Sequence, residues 1–166
     1  MSRSFAEPYP ELLQQAAGLY DGERDPWANS ANAAALVWER LPDLNWAGFY
    51  FLRGGGLIVG PFQGRAACVR IPLGQGVCGT AALQRKTLVV PDVHAFPGHI
   101  SCDAVSNSEI VVPLMTRGHL LGVLDLDSSS FGRFGASDAR ALEAFATGLA
   151  DACDWRLAGI DGFGPA

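Results

Sequence analysis

The chain has 166 residues, 49% of them hydrophobic and 17% charged, a balance that fits one domain of ordinary size with a full apolar core. Its formal net charge of −5 and the scattering of its basic residues argue against nucleic acid or an anionic membrane as the main partner. The N-terminal stretch, with Glu7, Glu11 and several prolines, does not read as a signal or transit peptide, and the longest apolar runs are far too short to cross a bilayer. A cytoplasmic protein is therefore expected, in which Cys68, Cys78, Cys102 and Cys153 serve as catalytic, metal-binding or buried thiols rather than as a disulfide framework.

In chain order, Leu12, Leu13, Ala16, Leu19 and Tyr20 fall at helical spacing and predict a helix from Pro10 to Tyr20. Asp21 to Trp27 reads as a turn-rich connection. Asn29 or Ser30 is placed to cap a second helix carrying Ala34, Val37, Trp38 and Leu41, stopped by Pro42. From Asn45 to Leu52 the residues alternate as a strand, with Trp46, Gly48, Tyr50 and Leu52 on one face and Ala47, Phe49 and Phe51 on the other. Gly48 then leaves a hollow walled by Trp46 and Tyr50, where an apolar ligand could sit, although two packed core aromatics beside a bulge glycine fit the same pattern.

Short strands are expected at Leu57 to Val59 and at Ala67 to Ile71, around a loop at Gly60-Pro61-Phe62-Gln63-Gly64. None of the glycines has the spacing of a phosphate-binding loop. Gly74 to Gln84 reads as a loop entering a short helix with Cys78 near its first turn, where the helix dipole is expected to lower a thiol pKa. After a strand at Leu88 to Val90 comes the long connection Pro91 to Ser108, which holds Cys102 on a polar loop suited to an active site. His94, His99 and Cys102 are zinc-ligand types, but their spacing matches no common zinc motif and a fourth ligand is lacking.

Ile110 to Met115 and His119 to Asp127 predict a β-hairpin. With its turn centred on Arg117, Glu109 faces Asp125 and Asp127 lies diagonal to it. Like charges facing each other across a sheet are costly, so this cluster should raise a carboxyl pKa or await a cation, unless the acids only end their strands in solvent. A final helix, with Ser137 as its cap, buries Leu142, Phe145, Ala146, Leu149 and Cys153, and the residues beyond about 156 read as a flexible tail. The expected architecture is one α+β domain with N-terminal helices at about 10–41, a core at about 45–154, and a central, mostly antiparallel β-sheet flanked by helices.

The runs Gly60 to Gly64, Ala67-Cys68-Val69-Arg70-Ile71, Gly76-Val77-Cys78-Gly79-Thr80-Ala81, Asp92-Val93-His94 with Phe96 to Ile100, and Ser106 to Pro113 resemble the free methionine-(R)-sulfoxide reductase family, a GAF-fold enzyme group. The likeness runs from about the first helix to Asp154. It implies a GAF-like fold, free methionine-(R)-sulfoxide as substrate, thioredoxin as electron donor and no bound cofactor or metal; it also implies a homodimer. By the same resemblance Cys102 attacks the substrate and Cys68 resolves the resulting sulfenic acid, with Cys78 as a third participant. Glu109, Asp125 and Asp127 would supply a general acid and hold the substrate ammonium, while Trp46 and Tyr50 would wall its methyl thioether end. A non-catalytic GAF sensor domain binding a small molecule is the alternative.

Overall fold

The computed structural model describes residues 8–163. Helices α1 (Tyr9–Tyr20) and α2 (Pro26–Arg40) precede strands β1 (Trp46–Arg53), β2 (Gly56–Gly64) and β3 (Arg70–Pro72). Helix α3 (Gly76–Gln84) and strand β4 (Leu88–Val90) follow, then β5 (Ser108–Thr116), β6 (His119–Ser128) and helix α4 (Ala136–Ala152). The strands form one antiparallel sheet in the order β3-β2-β1-β6-β5-β4, with β1 and β6 at its centre.

The predicted elements are present, and their displaced ends have local causes. Helix α2 starts earlier than expected because Asp25 caps it, accepting the Ala28 N–H at 2.8 Å, and Pro26 fits the first turn, where a missing N–H costs nothing. Asn29 and Ser30 are thus buried within the helix and do not cap it. Ser137 likewise lies inside α4: Asp138 accepts the Gly135 N–H at 2.7 Å and binds the Tyr9 hydroxyl, tying α1 to the start of α4. Strand β2 runs straight through Gly60-Pro61-Phe62, which was expected as a loop, because an irregularity in its pairing with β1 absorbs the extra residue. Strand β3 is shorter than predicted, leaving Cys68 on the loop before it.

The tail is not free up to residue 163. Ala158 and Ile160 are buried, and Asp161 accepts the N–H groups of Gly54 and Gly55 at 3.0 and 2.8 Å, latching the β1–β2 turn.

The alternation of β1 separates two environments as its sequence predicts. Ala47, Phe49 and Phe51 join Ile110, Val112, Leu124 and Leu126 under α1, α2 and α4 in the larger of two hydrophobic clusters. Burying each such large side chain contributes about 1.5–3 kcal/mol. Trp46 and Tyr50 face the other way, toward α3, with Leu57, Ile71, Val77, Cys78, Val111 and Val123. That second face carries the cavity described next.

Candidate active site

The site is set by the register of three central strands. Trp46 pairs with Asp127 and Gly48 with Asp125 across β1 and β6, while Glu109 pairs with Asp127 and Val111 with Asp125 across β5 and β6. The expected facing of Glu109 and Asp125 is corrected by two residues. The hairpin turn is centred between Arg117 and Gly118, whose φ values of 48° and 81° are those of a tight two-residue turn, and a bulge beside Leu114 and Met115 adds another residue to β6. A two-residue slip preserves the face, so all three carboxylates still line one cavity with Trp46, Tyr50, Cys78, His99 and Cys102.

These acids are not solvated strand ends. Glu109 and Asp125 are each only 5% exposed, deep enough that burial dominates their titration. Burial, then the neighbouring Asp125 and Asp127, pushes Glu109 well above the usual carboxyl range. Burial also raises Asp125 to about 7, against the lowering effect of the neighbouring Cys78 and Glu109 side chains. Asp127 is less sealed than the other two, yet burial and Asp125 raise it well above the usual range while the Ser106 hydroxyl opposes them. One cavity thus holds three carboxyl groups that burial, reinforced for Glu109 and Asp127 by neighbouring acids, makes weaker acids than free carboxyls.

The cysteines differ sharply in setting. Cys68 and Cys102 form a disulfide, with Cα atoms 5.3 Å apart, that joins the β2–β3 loop to the loop before β5. Cys78 is free and buried at the first turn of α3, and its Sγ lies 3.8 Å from Glu109 Oε1. The expectation of a lowered Cys78 pKa is overturned: burial first, then Asp125, Glu109 and Asp127, raise it well above the ordinary thiol value. Desolvation and three nearby acids outweigh one short helix's dipole. Cys153 is buried where α4 ends, accepting a 3.4 Å hydrogen bond from Asn29 Nδ2, far from this chemistry in its environment.

The ring wall also differs from the expected hollow. A Cβ on Gly48 would stand 2.3 Å from Phe62 Cβ, so the glycine admits the backbone of β2 and leaves no open space above itself. Trp46 stacks on Tyr50 with ring centroids 5.6 Å apart and on Phe62 at 5.1 Å. No flat group fits between rings so spaced, and the two site aromatics form one continuous wall of the cavity.

His94 and His99 do not converge with Cys102 as zinc ligands among the described residues, since His94 Nε2 lies 2.9 Å from Asn107 Oδ1 and Cys102 is disulfide-bonded. His99 lines the cavity with Nε2 3.8 Å from Glu109 Oε2; burial, then His94, lowers its pKa, which works against an ion pair with that carboxyl group. Sequence reasoning overlooked Ser106 and Asn45. Asn45 donates its side-chain N–H to Ser106 Oγ at 2.9 Å and its backbone N–H to the Asp127 carbonyl, pinning the cysteine loop to the site. Residues 45 and 106 carry no spacing signal that could have joined them. The cavity encloses about 30 Å³, room for about two water-sized groups and not for a whole amino acid while the disulfide is closed.

The family profile of the GAF domain matches residues 30–154. The free methionine-R-sulfoxide reductase of Escherichia coli (strain K12) is 52% identical over 136 residues, 82% of each chain. The structure of the Staphylococcus aureus fRMsr in its reduced form superposes with a TM-score of 0.86 at 46% identity, covering 92% of this chain and 99% of that one. The Neisseria meningitidis free methionine-R-sulfoxide reductase, in complex with its substrate, does so with a TM-score of 0.86 at 41% identity, over 92% of this chain and 93% of that one. The chain belongs to the free methionine-R-sulfoxide reductase family, built on the GAF domain.

Proposed function

We propose that this protein reduces free methionine-(R)-sulfoxide to methionine. The observation that carries the reading is a cysteine already paired with a resolving partner, Cys102 with Cys68, at the rim of a cavity lined by three carboxyl groups whose pKa values burial raises. In the reduced protein the Cys102 thiolate attacks the sulfoxide sulfur, and a carboxyl group among Glu109, Asp125 and Asp127 protonates the sulfoxide oxygen. The oxygen passes to Cys102 as a sulfenic acid, and methionine leaves two electrons richer. Cys68 then displaces water from that sulfenic acid, forming the disulfide, and an external dithiol restores both thiols.

The remaining carboxyl groups, which the positive charge of the arriving substrate helps to ionise, hold its ammonium; a peptide-bound methionine sulfoxide cannot present that charge, and this accounts for preference for the free amino acid. Trp46 and Tyr50 wall the methyl thioether end. Cys78 is a thiol at neutral pH and acts as a hydrogen-bonding neighbour of Glu109 rather than as a nucleophile. Thioredoxin as the dithiol, a homodimer and a cytoplasmic setting belong to the same proposal, supported by the family resemblance and by the need of this disulfide for a dithiol reductant.

The test is methionine formation from the separated epimers of free methionine sulfoxide, with dithiothreitol and then with thioredoxin and its reductase. Turnover of the R epimer alone, lost in Cys102→Ser, is the expected result. No turnover of either epimer by folded, fully reduced protein would overturn the enzyme reading and leave a ligand-sensing GAF module.

A further inference from the structure

The reductase chemistry runs through the carboxyl groups and the Cys68–Cys102 pair and leaves Cys78 without an electron-transfer role. This thiol is buried beside two acids: ligand atoms of Cys78, Glu109 and Asp125 all lie within 4.8 Å of one another. In a tetrahedral zinc site, bonds of about 2.3 Å to sulfur and 2.0–2.2 Å to oxygen set ligand atoms about 3.3–3.7 Å apart. The Cys78 Sγ to Glu109 Oε1 separation is 3.8 Å, so small side-chain movements close the triad around an ion. Asp125 supplies the independent observation, because its Oδ1 is sealed from solvent without a hydrogen-bond partner while the side chain lines the cavity. An unpartnered carboxylate oxygen is costly to bury, and a cation would satisfy it.

We infer that Cys78, Glu109 and Asp125 form a binding site for a borderline-soft divalent cation of the Zn²⁺ class, which shuts the reductase off by taking the seat of the substrate ammonium. The thiolate favours Zn²⁺ over Mg²⁺ or Ca²⁺, which prefer all-oxygen sites. Three protein ligands leave a fourth position for water, and His99 and Asp127 line the same cavity. The enclosed space admits an ion with a water in the disulfide form, when it does not admit an amino acid. As the ion binds, the Cys78 thiol proton and any carboxyl proton pass to the buffer; no electron moves. The inhibitory part rests on the reductase reading, whereas the binding part does not.

The first experiment titrates Co²⁺, as a spectroscopic stand-in for Zn²⁺, into the disulfide form, in which Cys78 and Cys153 are the remaining thiols. Expected is a thiolate-to-cobalt charge-transfer band that saturates at one equivalent, is chased by Zn²⁺, survives Cys153→Ser and disappears in Cys78→Ser. Asp125→Asn, a second variant that keeps the thiol, weakens Co²⁺ binding at least about tenfold, as loss of a ligand must when loss of its supporting partners already costs about that much. Circular dichroism of each variant separates loss of the ion from loss of the fold. No band in the folded wild type, or a band unchanged in Cys78→Ser, would overturn the inference. In reduced enzyme Zn²⁺ should raise KM for the sulfoxide without lowering kcat, reversed by chelator; a fall in kcat alone would overturn the shared seat. Turnover in chelator-treated buffer tests the reductase reading by itself, so active enzyme without a cobalt band sinks only the metal site, and a band without turnover sinks only the reductase.

Discussion

The two faces of the central sheet are built from the same strands and have opposite chemistry. On β5, Ile110 enters the larger hydrophobic core while its neighbour Glu109 enters the cavity; on β6, Leu126 is core and Asp125 and Asp127 are site. The helical face is covered by α1, α2 and α4 and carries the stability of the fold. The α3 face buries acids against one another at a cost in stability, and the proposed reaction draws on one of them to protonate the sulfoxide oxygen. One residue of register would exchange these faces, so the apolar side also holds the catalytic side in place.

The largest effect that separates the faces is chemical. Cys102→Ser is expected to form no methionine while keeping the circular dichroism and melting temperature of the reduced wild type. Asp125→Asn should follow, with kcat reduced about 10²–10⁴-fold if it contributes to proton transfer. Its stability should move the other way. Asp125 has a folded pKa of about 7 against an ordinary value of 3.8, so the folded chain binds more protons than the unfolded chain between those values. The stability due to Asp125 is full below its ordinary pKa and is lost as pH rises through about 7. Asp125→Asn should therefore raise the melting temperature at pH 8, by about 2–4 °C for each kcal/mol relieved, and change it little at pH 4. A variant less stable than wild type at pH 8 would contradict the account of the acid cluster.

The same groups predict that turnover declines as pH rises above neutrality, since the proton donor empties, and a rate that climbs steadily from pH 6 to 9 would assign the limiting proton elsewhere. On the helical face, Leu126→Ala should cost about 2–5 kcal/mol in chemical denaturation while leaving KM for the sulfoxide nearly unchanged at a temperature where the variant is folded. The smallest expected change is Asp25→Ala, which removes the cap of α2 and should cost about 1 kcal/mol without altering turnover.

Much of the fold was legible because it rests on steric periodicity. The alternation of β1, the apolar stripe of α4 and the hairpin between β5 and β6 follow from which residues repeat at two or at three to four positions. The candidate residues were legible through residue type and family resemblance, and all three acids, both aromatics and three cysteines do meet around or beside one cavity. The helix starts were misplaced because Asp25 and Asp138 cap from positions that compete with Asn29, Ser30 and Ser137 on local propensity alone. The tail beyond 156 looked free because its latch, Asp161 on the Gly54 and Gly55 amides, joins residues more than a hundred apart.

By itself, the order of residue types determined that this chain would build an antiparallel sheet with one apolar face and one face carrying Glu109, Asp125 and Asp127, because side-chain direction alternates with the backbone whatever lies around it. Only the tertiary structure decided that Glu109 faces Asp127, that the space over Gly48 belongs to Phe62, and that Cys78 keeps its proton. Register depends on one bulge and one turn, close approach on a neighbouring strand, and a pKa on how much water remains around the group; these are properties of surroundings that no single stretch of the chain contains.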